Sequence, residues 1–84
     1  MLQKKKTALR EINIEARRQR IIEAARTLIA AGGMSSLSMR KLGAQAGLSV
    51  TTLYNLFGNR DGILSALIDD TIDRVDKALE NKAQ

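Results

Sequence analysis

The sequence predicts an all-α fold: a three-helix bundle that contains a helix-turn-helix, followed by a long fourth helix. Three observations predict it. Ala, Leu, Ile, Arg and Lys dominate a chain of 84 residues with no proline and only two aromatic residues, Tyr54 and Phe57, which favours helices over a sheet. Apolar residues recur at helical spacing in successive runs. Glycines at Gly32-Gly33, Gly47 and Gly58 separate those runs.

In the first run Ile14, Ile21, Ile22, Ala25, Leu28 and Ile29 share a helical face, which predicts a helix from about Asn13 to Ala31. Asn13 suits its N-cap and Gly32-Gly33 its end. Its outer face is expected to carry Arg17, Arg18, Arg20 and Arg26. Residues 1–12 either extend this helix or form a basic arm. Ser35, Ser36 and Ser38 follow as a capping cluster. A short second helix then spans about Met39 to Ala46, with Met39, Leu42 and Ala46 inward. Gly47 ends it, Leu48 plugs the turn, and Ser49 caps a third helix from Val50 to Phe57. After the Gly58-Asn59 break, Asn59 caps a last helix from about Arg60 to Asn81, with Asp61 in the first turn where the dipole favours an anion. On that helix Ile63, Leu64, Leu67, Ile68, Ile72, Val75 and Leu79 cover roughly 180° at ~100° per residue, wider than the stripe of about 100° that one packing face needs. Its far end therefore calls for a further partner. The expected organisation is a basic N-terminal arm at 1–12, a three-helix unit at 13–60 and the fourth, linking helix at 61–84.

The composition narrows the function. With 44% hydrophobic and 27% charged residues the chain reads as one globular domain. The absence of Cys and His removes thiolate zinc sites, cysteine nucleophiles and the commonest general base. No metal, no cofactor and no catalysis are expected. Asp69, Asp70, Asp73 and Asp76 are acidic, but they share one helical stretch without a Gly loop or a His. No apolar run approaches the roughly 18 residues of a membrane span, and no signal-peptide core is present, so a cytoplasmic location is expected.

Charge is unevenly placed. Residues 1–60 hold 11 Lys and Arg against Glu11, Glu15 and Glu23, whereas residues 61–84 hold three against six acidic residues. From Thr27 to Arg60 there is no carboxylate at all. A surface that approaches a polyanion has this pattern, since a carboxylate there would repel phosphate.

The stretch Ser38 to Phe57 is two helices of about two turns each joined through Gly47 and Leu48. That spacing matches a helix-turn-helix, at about residues 38–57, whose second helix (50–57) enters the major groove of double-stranded DNA. Gly43 and Ala46 are small enough to let the helices cross, and Leu42, Leu48, Leu53 and Phe57 would fix the angle. Such a unit within three helices is homeodomain-like. The residues also resemble a family. Arg20-Ile-Ile-Glu-Ala-Ala-Arg-Thr-Leu28, Gly32-Gly33, and then Ala46-Gly47-Leu48-Ser49, Thr52-Leu53-Tyr54, Phe57 and Asn59-Arg60 resemble the N-terminal domain of the tetracycline-repressor (TetR) family over about residues 15–70. The resemblance implies a transcriptional regulator, of repressor type, that binds a palindromic operator as a homodimer. It also implies that the fourth helix links to a larger ligand-binding and dimerisation domain, which these 84 residues lack. Self-association is accordingly expected to be weak or absent here. Gly43 stands where that family usually has Ala, which costs the short helix up to roughly 1 kcal/mol in propensity.

The candidate DNA-binding residues are Ser38, Arg40, Lys41, Ser49, Val50, Thr51, Thr52, Tyr54, Asn55 and Arg60. Hydroxyls and amides at Thr51, Thr52 and Asn55 can reach phosphates and base edges, and Thr methyls can touch thymine methyls. Val50 is either a core contact or an apolar base contact. Tyr54 is either a half-buried support for the core or, as the resemblance implies, a phosphate donor. Arg40 can read guanine bidentately or pair a phosphate, and Lys41 is a phosphate contact or a plain surface charge. Ser38 and Ser49 are N-caps first, with phosphate contact as a second use. Arg60 is a cation at a helix N-terminus, where the dipole opposes it; the resemblance implies a phosphate clamp. Lys4, Lys5 and Lys6 with Arg10 form either a minor-groove arm or a solubilising tail. The competing function is a helical protein-interaction module that uses the apolar face of the last helix.

Overall fold

The structure, a computed structural model, describes residues 2–83, with side chains for residues 9–81. It contains four α-helices: α1 (Leu2–Gly32), α2 (Met39–Ala46), α3 (Val50–Phe57) and α4 (Arg60–Ala83), with one 3-10 turn at Met34–Ser36. No strand occurs among the described residues. The all-α expectation holds.

Two boundaries differ from the sequence reading. Asn13 does not cap α1, because the helix runs through it from Leu2. Residues 2–12 are mostly Lys, Leu, Ala, Gln, Arg and Glu, all good helix formers, and include no Gly or Pro to stop the helix. The side chains of Lys4, Lys5 and Lys6 lie outside the described residues. Ile14 is exposed rather than packed, and the core starts at Ile21. Ser35 and Ser36 belong to the 3-10 turn, and only Ser38 caps α2, its hydroxyl accepting from the Lys41 N–H at 3.1 Å.

The core is a single apolar cluster. Ile21 and Ala25 of α1, Leu42 of α2, Leu53 of α3 and Ile63 of α4 are fully buried, so each helix donates at least one side chain. Leu28, Leu48, Leu56, Phe57, Leu64 and Leu67 pack around them half-buried. Leu37, between Ser36 and the Ser38 cap, closes the cluster at 4% exposure.

α1 and α4 are joined by charge. Arg26 donates to Asp70 at 2.6 Å, Arg74 sits 3.0 Å from the same carboxylate, and Arg74 also pairs with Glu23. Asp70 is therefore half-buried and paired, not part of a free acidic stretch. The hydrogen bond from Arg26, aided by the positive charge of Arg74, holds its carboxyl below the usual carboxylate range, against the opposing pull of burial. A lowered native pKa stabilises the fold above the ordinary carboxylate value of about 4, and this contribution is lost as pH falls through the native value. Asp70→Asn is thus expected to lower the urea midpoint more at pH 7 than at pH 3, where the unfolded carboxyl is already largely protonated. Equal losses at both values would show that the pairing contributes nothing.

Candidate nucleic-acid interface

The helix-turn-helix is set by two caps and one glycine. Gly47 takes φ +70° in the left-handed region, where a side chain would be strained, and its N–H returns to the Gly43 carbonyl to close α2. A Cβ on Gly43 would lie 2.8 Å from the Leu48 carbonyl oxygen. This close approach of the turn to α2 explains why a helix interior carries glycine here, despite its propensity cost. Ser49 caps α3 by accepting from the Thr52 N–H at 3.1 Å, and the two hydroxyls lie 2.8 Å apart.

α3 is strictly two-sided. Leu53, Leu56 and Phe57 turn toward the core, while Val50, Thr51, Tyr54 and Asn55 are exposed. Positions 50, 54 and 51, 55 are four apart, so these side chains form one outward face about 8 Å long at 1.5 Å per residue. Val50, at 37% exposure, and Tyr54, at 48%, sit on that face rather than in the core cluster. Thr52 lies at its edge, half-buried, with its hydroxyl shared with Ser49. Arg40 and Lys41 project from the first turn of α2. The ion pairs among the described residues use Glu15, Glu23, Asp70 and Asp73, and none includes Arg40, Lys41 or Arg60.

Arg60 has a structural task the sequence did not reveal. Its Nε donates to the Leu37 carbonyl at 3.0 Å and an Nη to the Met34 carbonyl at 3.2 Å. The guanidinium thus ties the start of α4 to the loop that delivers Ser38 and α2. Those two bonds supply a local reason for a cation at an unfavourable helix end. Asn59 caps α4 as expected, accepting from the Gly62 N–H at 2.8 Å.

Three of the four arginines expected on the outer face of α1 are braces. Arg18 donates to the Leu56 carbonyl at 3.1 Å, with its guanidinium 4.6 Å from the centre of the Phe57 ring. Arg20 donates to the Ala46 carbonyl at 2.6 Å, at the C-terminus of α2 where the dipole favours a cation. Arg26 pairs with Asp70, and Arg17 is exposed. Arg18 and Arg20 therefore fix the two helices of the motif from behind. Composition showed only their charge, and no local signal marks their acceptors, which are distant in sequence.

Among the described residues no group of acidic side chains could hold a metal ion, and no helix is long and apolar enough to cross a membrane. A family model described as bacterial regulatory proteins, tetR family, matches residues 21–67, just over half of the chain and the whole of α2, the turn and α3. No curated protein and no solved structure matches the chain significantly.

Proposed function

Because the chain belongs to the tetR family of bacterial regulatory proteins, DNA-binding regulators of transcription, we propose that it binds double-stranded DNA sequence-specifically with α3 in the major groove. One observation carries this reading: the exposed, carboxylate-free face of α3 stands beside the exposed cations of α2. A helix about 10–12 Å across with its side chains fits a groove about 12 Å wide. Thr51 and Asn55 face base edges, Val50 offers an apolar contact to thymine methyls, and the Tyr54 phenol donates to a phosphate. Arg40 reads a base at the groove edge. Lys41 and the capped N-termini at Ser38 and Ser49 hold backbone phosphates. Thr52 steadies the start of α3 through Ser49 and meets the DNA at the edge of the face. Arg60 keeps its two carbonyl partners and turns the rest of its guanidinium to a phosphate. Bound at an operator, such a domain represses by occupying the site, in the cytoplasm and without a cofactor. Two copies on a palindrome supply the affinity one small unit lacks.

Selection from random duplex DNA is the test, and a consensus should emerge. Arg40→Ala and Thr51→Ala are each expected to relax preference at particular base positions, costing roughly 1–3 kcal/mol on the selected site and little on random DNA. Equal losses on both kinds of DNA would reassign these residues to the backbone. Failure to enrich any sequence would contradict base reading altogether.

A further inference from the structure

α2 and α3 are each eight residues long, and neither has a basic residue in its last turn to offset the negative end of its dipole. α1 supplies one to each. Arg20 reaches the carbonyl of Ala46, the last residue of α2, and Arg18 reaches that of Leu56, one residue before the end of α3. Both carbonyls are among the final four of their helices, which no N–H of the same helix can satisfy. At ~100° per residue, positions 18 and 20 lie roughly 200° apart, on opposite flanks of α1. The fully buried Ile21 and Ala25 point between them into the core. A Cβ on Gly47 would lie 3.2 Å from the Arg20 nitrogen that meets Ala46, so this guanidinium is tucked against the turn itself.

The two arginines set directions that the core leaves free. Leu53 is the one fully buried side chain of α3, and a helix held mainly at one point can still tilt. The Leu56 carbonyl lies three residues further on, about 4.5 Å along the axis. Two held points define an axis. In α2 the fully buried Leu42 and the Ala46 carbonyl, four residues on, play the same parts. The Phe57 ring, 4.6 Å from the Arg18 guanidinium, adds a second hold at the end of α3. Thr51 and Asn55 stand two residues either side of Leu53, so a tilt about it shifts them in opposite directions. Hydrogen bonds to base edges do not survive such shifts, whereas long cations on phosphates can follow them.

We propose that Arg18 and Arg20 are positioning residues for base reading. They cap α3 and α2 from α1 and hold the helix-turn-helix at its working angle without touching the DNA. The role rests on the DNA-binding reading above and goes beyond it, because it makes sequence preference depend on a helix outside the motif.

The test compares affinities for the selected duplex and for random duplex, at a temperature where circular dichroism shows every variant folded. Arg18→Ala and Arg20→Ala should each weaken the selected duplex about tenfold and leave random duplex within about twofold of the wild type. The log–log salt slope should not change, since neither residue meets a phosphate. Arg17→Ala, at an exposed position beside them, removes the same charge and should keep the wild-type preference. Equal losses on both duplexes would overturn the proposal: with a smaller slope they mean direct phosphate contact, and with an unchanged slope a purely structural role. A loss of preference as large with Arg17→Ala would overturn it too, by making net charge the cause. Amide hydrogen exchange without DNA tests the caps themselves. Arg18→Ala should speed exchange at Leu56 and Phe57 and spare Gln45 and Ala46, and Arg20→Ala should do the reverse. Uniform acceleration in all four helices, or none, would overturn the capping. Failure of the wild type to prefer any duplex would sink the DNA reading and leave the exchange result standing.

Discussion

Leu53→Ala is expected to destabilise the domain by about 2–5 kcal/mol, the cost of emptying a fully buried leucine site. At about 0.05–0.15 kcal/mol per residue, a chain of this length has only roughly 4–13 kcal/mol to lose. Leu53 is at 0% exposure and is the one α3 side chain fully enclosed by the other three helices. Truncating it both opens a cavity and frees α3 from the angle that aims its outer face. DNA binding should fall with stability, and urea unfolding followed by circular dichroism measures the loss. Thr51→Ala, on the opposite side of the same helix, should stay within about 0.5 kcal/mol of the wild type. Equal midpoints for the two variants would mean that α3 is not held by the core at all.

How much of this was legible in the sequence depends on the range of each interaction. Elements fixed by local chemistry were readable: Ser38, Ser49 and Asn59 cap the helices they were expected to cap, and Gly47 closes α2. The two-sided character of α3 followed from its spacing, as Leu53 and Phe57 against Tyr54 and Asn55 show. What the sequence hid were partnerships across the fold. Arg18 and Arg20 looked like surface charge, because nothing local marks the Leu56 and Ala46 carbonyls as their acceptors. Leu37 sat among serines and is core, since a loop residue gains its burial from helices distant in sequence. The start of α1 was misplaced for a different reason: Asn13 is a good cap residue, but continuous helix formers before it make capping unnecessary. The wide apolar arc of α4 was visible, and its division into core residues such as Ile63 and Leu67 and the exposed Ile68, Ile72, Val75 and Leu79 needed the packing of the other helices to be seen.

Arg60 is expected to show a double effect because it serves two purposes. Arg60→Ala removes two hydrogen bonds to the carbonyls of Leu37 and Met34, which tie α4 to the loop before α2. The side chain is partly exposed, so the loss in stability should be about 1–2 kcal/mol rather than the full value of a buried charged pair. Affinity for duplex DNA should fall about tenfold on specific and random sequences alike, with the log–log salt slope reduced by about 1. Arg60→Lys separates the two roles. It keeps the charge, and with it the slope, but cannot fork onto both carbonyls, so it should recover binding to random DNA more fully than stability. An unchanged slope for Arg60→Ala would make the residue a loop tie alone.

The central claim is that this domain recognises duplex DNA through phosphates and base edges at once. Titration of the wild-type chain with its selected duplex and with a scrambled duplex, across a series of salt concentrations, tests it most directly. Both affinities should fall linearly on logarithmic axes as counterions are released, with the selected duplex at least about a hundredfold tighter throughout. Affinity indifferent to salt, or equal for the two duplexes at every concentration, would contradict it.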